Sequence, residues 1–266
     1  DNRRSRGLGD VYKRQIDALL MFRQESMYWL TGYDTFGYVY FQSLVLTADG
    51  RVVLMTRAPD LRQAQNTSNI ADIRIWVDRD GASPADDLRA ILDELALAGV
   101  RLGVEYEAYG LTGRNAMRLN AALDEFATLA DESEMVSRLR LVKSAAEITY
   151  TRRAGALADD ALDAAHALID SGVDEGDILA AMHSAIYRGG GDDPGNEFVI
   201  GSGPDALLCR YKSGRRPLDA EDQLTLEWAG AYRHYHAAMM RTIPVGRAQA
   251  EHLSLIHISE PTRPSV

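Results

Sequence analysis

Residues 223–246 read QLTLEWAGAYRHYHAAMMRTIPVG, and this stretch predicts a β-hairpin. In its first strand, 224–229, apolar and polar side chains alternate: Leu224, Leu226 and Trp228 against Thr225 and Glu227. The second strand, 234–243, returns after a turn near 230–233. An unpaired buried carboxylate is costly. Glu227 therefore lies either on a solvated face, the ordinary place for a charged residue, or in a site that uses its charge.

The chain before residue 126 alternates between strand-like and helix-like segments, which is typical of an α/β domain with a substantially parallel sheet. Asp49-Gly50 predicts a hairpin turn between two strands. Gly32 closes a helical turn, and Ser83-Pro84 begins a helix that runs to Leu97. The predicted strands are 16–22, 43–47, 52–56, 72–77 and 101–105, and the other predicted helix is 112–123.

After residue 136 the pattern changes to long helices followed by strands. Residues 137–170 and 175–188 predict helices, 189–195 a glycine-rich loop, and 198–203 a strand. The loop lacks the Lys-Ser/Thr pair of a phosphate-binding loop, which argues against a nucleotide site. We therefore predict two domains, 16–136 and 137–252.

Both ends of the chain resemble translated adaptor DNA. Residues 5–15 (SRGLGDVYKRQ) and 253–263 (LSLIHISEPTR) can be encoded by one DNA sequence and its reverse complement. We interpret residues 1–15 and 253–266 as adaptor artefacts and exclude them from fold reasoning. Residues 16–252 are then expected to be a fragment of a longer protein, inactive alone.

The composition argues against two classes of partner. The chain has 29 Lys+Arg and 39 Asp+Glu; residues 1–15 hold five basic and two acidic of these, and 253–266 one of each, which leaves 23 and 36, a formal charge of −13. Nucleic acids and anionic membranes attract basic surfaces, so neither is an expected partner. No run reaches the roughly 18 apolar residues of a membrane helix. The single cysteine, Cys209, allows no disulfide and favours a cytoplasmic location.

Four motifs, in order along the chain, resemble the pita-bread family, which includes aminopeptidase P, creatinase and ectoine hydrolase. Residues 140–148 (RLVKSAAEI) resemble the R-x-V-K-S-x-x-E-I signature that opens its catalytic domain. Residues 27–34 (MYWLTGYD), 202–205 (SGPD) and 241–246 (RTIPVG) resemble its N-x-x-Y-L-T-G-Y/F, S-G-x-N and R-T-F-x-V-G elements. The resemblance implies an α/β N-terminal creatinase-like domain followed by part of an α+β pita-bread catalytic domain.

The sequence departs from this family at the position of its two-metal site. Metal-dependent members carry one Asp in the first hairpin strand and a second Asp eleven residues later, and these positions here hold Glu227 and Ala238. Alanine offers no ligand atom, so we predict no metal and no other cofactor. A family histidine falls on Arg210, whose guanidinium stays charged and can clamp a carboxylate. The remaining family ligands, one His and two Glu, would lie beyond His252.

The resemblance to the ectoine hydrolase branch implies a metal-independent hydrolase of a C–N bond in a small carboxylate-bearing substrate, with opening of ectoine to N-acetyl-diaminobutyrate preferred. Glu227 would be a nucleophile or would activate water. His236 shares the strand parity of Ala238 and could be the acid–base partner; a hydrogen-bonded strand histidine is an equal alternative. Arg210, Tyr211 and His234 would bind substrate, although Arg210 could instead be a solvated surface charge.

The resemblance also implies a homodimer in which the N-terminal domain of one protomer covers the active site of the other. The aromatic residues of 33–41 are candidates for that contact, and such clusters also arise from ordinary packing. Three other functions stay open. A creatinase-like amidinohydrolase is disfavoured by Arg210, and a metal-dependent proline-specific aminopeptidase by Ala238. The third is a non-catalytic binding module on the same scaffold.

Overall fold

The computed structural model describes residues 16–208 and 215–248. It divides into two units, with the division between Val142 and Lys143. This division lies slightly C-terminal to the predicted one after residue 136, because helix 135–141 contributes to a core of the first unit. The predicted adaptor segments, and also Cys209, Arg210 and Tyr211, lie outside the described residues.

The described elements alternate in the first unit and are grouped in the second. The strands are β1 Ala18–Met21, β2 Ser43–Thr47, β3 Val52–Arg57, β4 Asp72–Trp76, β5 Arg101–Val104, β6 Thr128–Asp131, β7 Val199–Ser202, β8 Asp222–Tyr232 and β9 Tyr235–Val245. The α-helices are α1 Gln24–Thr31, α2 Leu61–Thr67, α3 Pro84–Glu94, α4 Gly113–Leu123, α5 Met135–Leu141, α6 Ala145–His166 and α7 Glu175–Arg188. None of the helices within 16–208 and 215–248 has the length and apolar character needed to cross a lipid bilayer.

The first unit is built on a six-stranded sheet in the order β4-β3-β2-β1-β5-β6. β1 is buried along its whole length and pairs antiparallel with β2 and parallel with β5. The β3–β4 and β5–β6 pairings are also parallel, whereas β2–β3 is antiparallel. The sheet is therefore mixed: the parallel character predicted from the alternation of elements is present, and the hairpin at Asp49-Gly50 adds the antiparallel part.

Helices cover both faces of this sheet, and each face has its own hydrophobic core. Leu19 and Leu20 are neighbours in β1 and belong to opposite cores, as the period of a strand requires. The core on one side combines sheet residues with α3 and α4, through Leu88, Leu92, Leu119 and Leu123. The core on the other side includes α1, α2 and α5, through Met27, Trp29, Ala64, Met135 and Val136. This layering confirms the α/β class of the N-terminal part.

Glu105, which directly follows β5, holds the beginning of α1. Arg23 occupies the N-cap position without a capping side chain. The buried Glu105 carboxylate accepts hydrogen bonds from the Phe22 N–H at 3.1 Å, the Arg23 N–H at 3.0 Å and the Ser26 hydroxyl at 2.6 Å. Burial outweighs these donors and raises the pKa of Glu105 to about 7. The start of α1 thus depends on a group that titrates near neutral pH.

The second unit packs α6 and α7 against one face of a three-stranded antiparallel sheet in the order β7-β8-β9. Ser144 and Glu147 form a capping box at the start of α6, in which each side chain bonds the other's main-chain N–H. This cap separates α5 from α6, where the sequence predicts one helical stretch over 137–170. The core between helices and sheet consists mainly of Leu157, Ala158, Ala161, Ile178, Met182, Ile186, Ile200, Leu224, Leu226 and Trp228.

The predicted position of the hairpin turn, 230–233, is wrong by a few residues. Tyr232 and Tyr235 are cross-strand partners, so Arg233 and His234 form a two-residue turn. Their φ angles, 49° and 61°, are both in the left-handed region, as a type I′ turn requires. Gly230, whose presence suggested the turn, lies inside β8 instead.

Gly230 serves packing rather than chain reversal. A Cβ at this position would overlap the Ala154 carbonyl oxygen of α6 and would lie 2.6 Å from the Ala158 nitrogen. Without a side chain, β8 can approach the α6 backbone closely. This close contact sets the distance between the hairpin and α6.

Candidate active site on the open face of the hairpin

The two faces of the β8–β9 hairpin lie in different environments. Leu226 and Trp228 are buried against the helices, and the Trp228 indole N–H donates to the Ala158 carbonyl at 2.9 Å. Glu227 lies on the other face and is half-buried, with Val199 of β7 and Met240 of β9 as its direct cross-strand neighbours. We call this second face the open face; it comprises Thr225, Glu227, Ala229 and Ala231 of β8 and His236, Ala238, Met240 and Thr242 of β9.

Ala238 and His236 share the open face with Glu227, as their parity in the strand predicts. The register pairs Ala229 with Ala238 and Ala231 with His236. Directly opposed residues project from the same face of a sheet. Ala238 is therefore diagonal to Glu227, one pair nearer the turn, and its methyl group is exposed.

Among the open-face residues of β8 and β9, Glu227 is the one side chain with a carboxylate. Its neighbours on β9, Met240 and Ala238, carry no oxygen or nitrogen donor. Within residues 16–208 and 215–248, no group of three or more His, Cys, Asp and Glu side chains is placed to hold a metal ion. Two divalent cations need several carboxylates to balance their charge, and in the described part of this hairpin face β9 contributes none; the absence of a metal stays a prediction.

His236 uses both ring nitrogens in hydrogen bonds to the main chain. The Gly195 N–H donates to Nε2 at 2.8 Å, so Nε2 carries a lone pair. Nδ1 then carries the proton and donates to the His234 carbonyl at 3.0 Å. This is the bonding of a strand histidine tied to the main chain. The acid–base role predicted for His236 stays a prediction, and it would require Nε2 to leave Gly195.

His234, which is predicted to begin the second strand, is instead the second residue of the turn. It is exposed, and its N–H donates to the Asp192 carboxylate at 3.1 Å. Its predicted role in substrate binding stays a prediction. Arg210 and Tyr211 lie outside the described residues, so their predicted roles in substrate binding also stay predictions.

A polar network beside β7 has no counterpart in the sequence-based prediction. The Ser202 hydroxyl donates to the buried Glu175 carboxylate at 2.6 Å and accepts from Arg216, which also donates to Asp222. Burial alone would raise the pKa of Asp222, but the Asp219 N–H, the Arg216 guanidinium and a second backbone N–H lower it below its ordinary value. Ser202 of the SGPD segment is thus a structural anchor. The sequence does not single out Arg216 as part of such a network, because it stands in a run of basic residues that is typical of solvated surface.

The signature at 140–148 also has a structural role. Glu147 caps α6 with one carboxylate oxygen, and its other oxygen accepts from the Tyr235 hydroxyl at 2.9 Å. Tyr150 packs against Tyr232 and Tyr235, with ring centroids 5.8 and 5.6 Å apart. The motif therefore fixes the tip of the hairpin that carries Glu227.

The fold and this hairpin define a creatinase-type N-terminal domain followed by part of a pita-bread catalytic domain. Residues 3–142 match the Creatinase/Prolidase N-terminal domain, and residues 149–260 match Metallopeptidase family M24. The first match covers more than half of the chain, and the chain belongs to the creatinase/prolidase family. Both matches continue into the segments 1–15 and 253–266, so they do not support the interpretation of these segments as adaptor artefacts.

Several proteins with different names are similar in sequence to this chain. It is 29% identical over 245 residues to an uncharacterized hydrolase/peptidase of Sinorhizobium fredii, covering 88% of this chain and 62% of that protein. It is 26% identical over 265 residues to the ectoine hydrolase of Halomonas elongata, covering 91% and 64%. It is 24% identical over 238 residues to the Xaa-Pro dipeptidase of Pyrococcus horikoshii, covering 88% and 61%. The chain thus spans less than two thirds of the length of these relatives.

Solved structures agree on the fold. The prolidase from Thermococcus sibiricus aligns with a TM-score of 0.82 over 97% of this chain and 68% of its own, at 18% identity. At that identity the likeness establishes the fold alone.

Proposed function

We propose that the full-length protein containing this chain is a metal-independent hydrolase of a C–N bond in a small carboxylate-bearing substrate, with ectoine as the preferred substrate. The observation that carries the proposal is the pair at positions 227 and 238: a glutamate on the open face, and an alanine where a second metal-binding carboxylate would stand. Similarity to the ectoine hydrolase of Halomonas elongata supports the substrate class.

A single carboxylate suits the chemistry of a cyclic amidine. The amidine carbon lies between two nitrogens and is electrophilic. Glu227 either attacks this carbon directly or takes a proton from the water that attacks it. In both routes water supplies the oxygen of the new amide, one ring C–N bond breaks, and the departing nitrogen gains a proton to become an amine. The product from ectoine is N-acetyl-diaminobutyrate.

The proposed substrate would be bound better by a site that contains a positively charged side chain. Ectoine carries a carboxylate, which a guanidinium binds through two parallel hydrogen bonds. Arg210 is the residue proposed for this contact, with Tyr211 and His234 as further substrate-binding candidates. His236 is retained as a candidate acid–base residue on the open face.

The test uses the full-length protein after exhaustive chelation, with ectoine as substrate and ring opening followed by NMR. Wild type should turn over, and Glu227→Gln should not. Glu221→Gln, at an exposed glutamate just before β8, is the matched control and should keep full activity. Activity on an Xaa-Pro dipeptide that appears only after manganese is added would overturn the assignment of Ala238.

The second candidate is a metal-dependent Xaa-Pro dipeptidase, which the relative of that name in Pyrococcus horikoshii favours and Ala238 disfavours. A creatinase-like amidinohydrolase and a non-catalytic binding module are the third and fourth candidates, and inactivity on all these substrates would favour the module. We also propose a cytoplasmic homodimer. Light scattering of the full-length protein tests the dimer, because a monomer at micromolar concentration would contradict it.

A further inference from the structure

The tip of the β8–β9 hairpin is joined to residues 189–197, which we call the rim loop. The Asp192 N–H donates to the Ala231 carbonyl at 2.9 Å. The Asp192 carboxylate accepts from the His234 N–H at 3.1 Å, and the Gly195 N–H donates to His236 Nε2 at 2.8 Å. Three hydrogen bonds thus join the loop to the hairpin: one between main-chain groups, one to a loop side chain and one to a hairpin side chain.

The rim loop borders the open face because it leads directly into β7. Val199, the first residue of β7, is the cross-strand partner of Glu227. The residues just before it therefore run alongside the β8 residues between Glu227 and the turn. The contact from Gly195 to His236 agrees with this course, since His236 pairs with Ala231. A change in the rim loop would therefore alter the border of the open face between Glu227 and the turn.

We propose that neutral His236 is a latch that fixes the rim loop at the edge of the open face, and that protonation of Nε2 releases Gly195 and loosens this edge. His236 is then a positioning residue, which acts on substrate through the loop. The consequence for substrate rests on the proposed function, but the latch itself does not.

The physical basis is the absence of a lone pair on a protonated imidazole. Nδ1 already carries a proton, which it donates to the His234 carbonyl. A second proton can bind only at Nε2, and two N–H groups would then face each other across the Gly195 contact. An unperturbed histidine is the side chain that changes charge between about pH 5 and 8, so pH 8 and pH 5.5 are the two conditions to compare.

Other charged and titratable groups surround the latch, and the test must leave them intact. The rim loop supplies Asp192, Asp193 and Glu197, and the turn supplies Arg233 and His234. On α7, the Tyr187 hydroxyl donates to Asp193. Substitutions at position 236 keep all of these groups and replace the two ring nitrogens, the acceptor Nε2 and the donor Nδ1.

Two variants separate the presence of an acceptor from its titration. In His236→Gln the side-chain amide oxygen can accept from Gly195 but does not titrate. In His236→Phe no acceptor remains. His166→Gln, in the exposed last turn of α6, is the matched control for loss of a histidine elsewhere in the second unit.

The measurement is hydrogen exchange of the Gly195 amide in this chain labelled with [15N]glycine, at pH 8 and pH 5.5, corrected for intrinsic exchange. In wild type and His166→Gln, protection should fall about three- to ten-fold at the lower pH, the factor for one neutral hydrogen bond. In His236→Gln it should stay constant, and in His236→Phe it should be low at both. Unchanged protection in His236→Phe at pH 8, or a wild-type pH response in His236→Gln, would overturn the latch.

Kinetics on the full-length protein separate positioning from proton transfer. If His236 positions the loop, His236→Phe should raise KM about three- to ten-fold with little change in kcat, and His236→Gln should restore KM. A His236→Gln variant that keeps Gly195 protected but loses kcat would show that His236 transfers protons, against the positioning role. The exchange measurement needs no turnover, so it stays decisive if the proposed reaction is wrong.

Discussion

Replacing Glu105 by Gln should make the first unit more stable at alkaline pH. Glu105 is fully buried where β5 ends and binds the start of α1. A glutamine can keep these contacts, because its amide oxygen accepts from the two backbone N–H groups and its NH2 can donate to the Ser26 hydroxyl. The substitution therefore removes the ionisation while leaving the shape and the donors in place.

The magnitude follows from the raised pKa. Burial raises the pKa of Glu105 from 4.5 to about 7. A carboxyl whose folded pKa lies above its unfolded value contributes stability that is fully present below the unfolded pKa and is lost as pH rises through the folded pKa. Each pKa unit corresponds to about 1.4 kcal/mol, so the full loss is about 3 kcal/mol. About 2 kcal/mol of it should fall between pH 5.5 and 8.5.

The assay is urea unfolding of wild type and Glu105→Gln at several pH values between 5.5 and 8.5, with hydrogen exchange of residues 18–31 to assign the change to the first unit. The difference in unfolding free energy between the two proteins should grow by about 2 kcal/mol across this range, in favour of the variant. Glu25→Gln, an exposed carboxylate in the first turn of α1, is the control and should show no such growth. A difference that stays constant with pH would refute the reasoning, since the donors around Glu105 would then outweigh its burial.

Three changes in the second unit give further tests, each by urea unfolding. Gly230→Ala should cost about 2 kcal/mol, because the new methyl group meets the Ala154 carbonyl; unchanged stability would show that α6 can move away. Trp228→Phe should cost about 1–2 kcal/mol through a lost hydrogen bond and lost buried area; a neutral result would mean that the ring packs equally well. Arg216→Gln should cost about 2 kcal/mol at pH 7, and less below about pH 4, because the lowered pKa of Asp222 reflects stability that is lost on acidification; a cost independent of pH would assign the effect to packing.

The sequence predicts the elements well where one local cause decides the conformation. The alternation that ends in Leu226 and Trp228 correctly identifies the buried face of the hairpin, because burial of one face imposes period two. Gly32 and Gly50 correctly end a helix and make a turn, with φ angles of 80° and 91° that disfavour other residues. α2 and β6 were not predicted, and α3 ends at Glu94, before the predicted Leu97.

The errors in the predicted hairpin arise at residues whose type is compatible with more than one structural role. Gly230 suggested a turn, but its missing side chain admits the α6 backbone, which no local pattern reveals. The actual turn uses Arg233 and His234, whose side chains are unusual in a type I′ turn. Because the turn lies later than predicted, His234 belongs to the turn and not to the second strand. Likewise, the hydrogen bond from Gly195 to His236 joins positions 41 residues apart, and no spacing in the sequence predicts it.

The two faces of β8 and β9 explain how one fold can carry different reactions. Truncation of Leu226 or Trp228 to Ala would leave a cavity in a packed core and should cost about 2–5 kcal/mol. A change at Ala238 affects an exposed position and should cost little, typically within about 0.5 kcal/mol, yet it decides whether a second carboxylate stands beside Glu227. Stability therefore constrains the face that packs on the helices and leaves an exposed open-face position such as Ala238 free to vary. The fold alone does not determine the reaction; in the function proposed here, the side chains at 227 and 238 do.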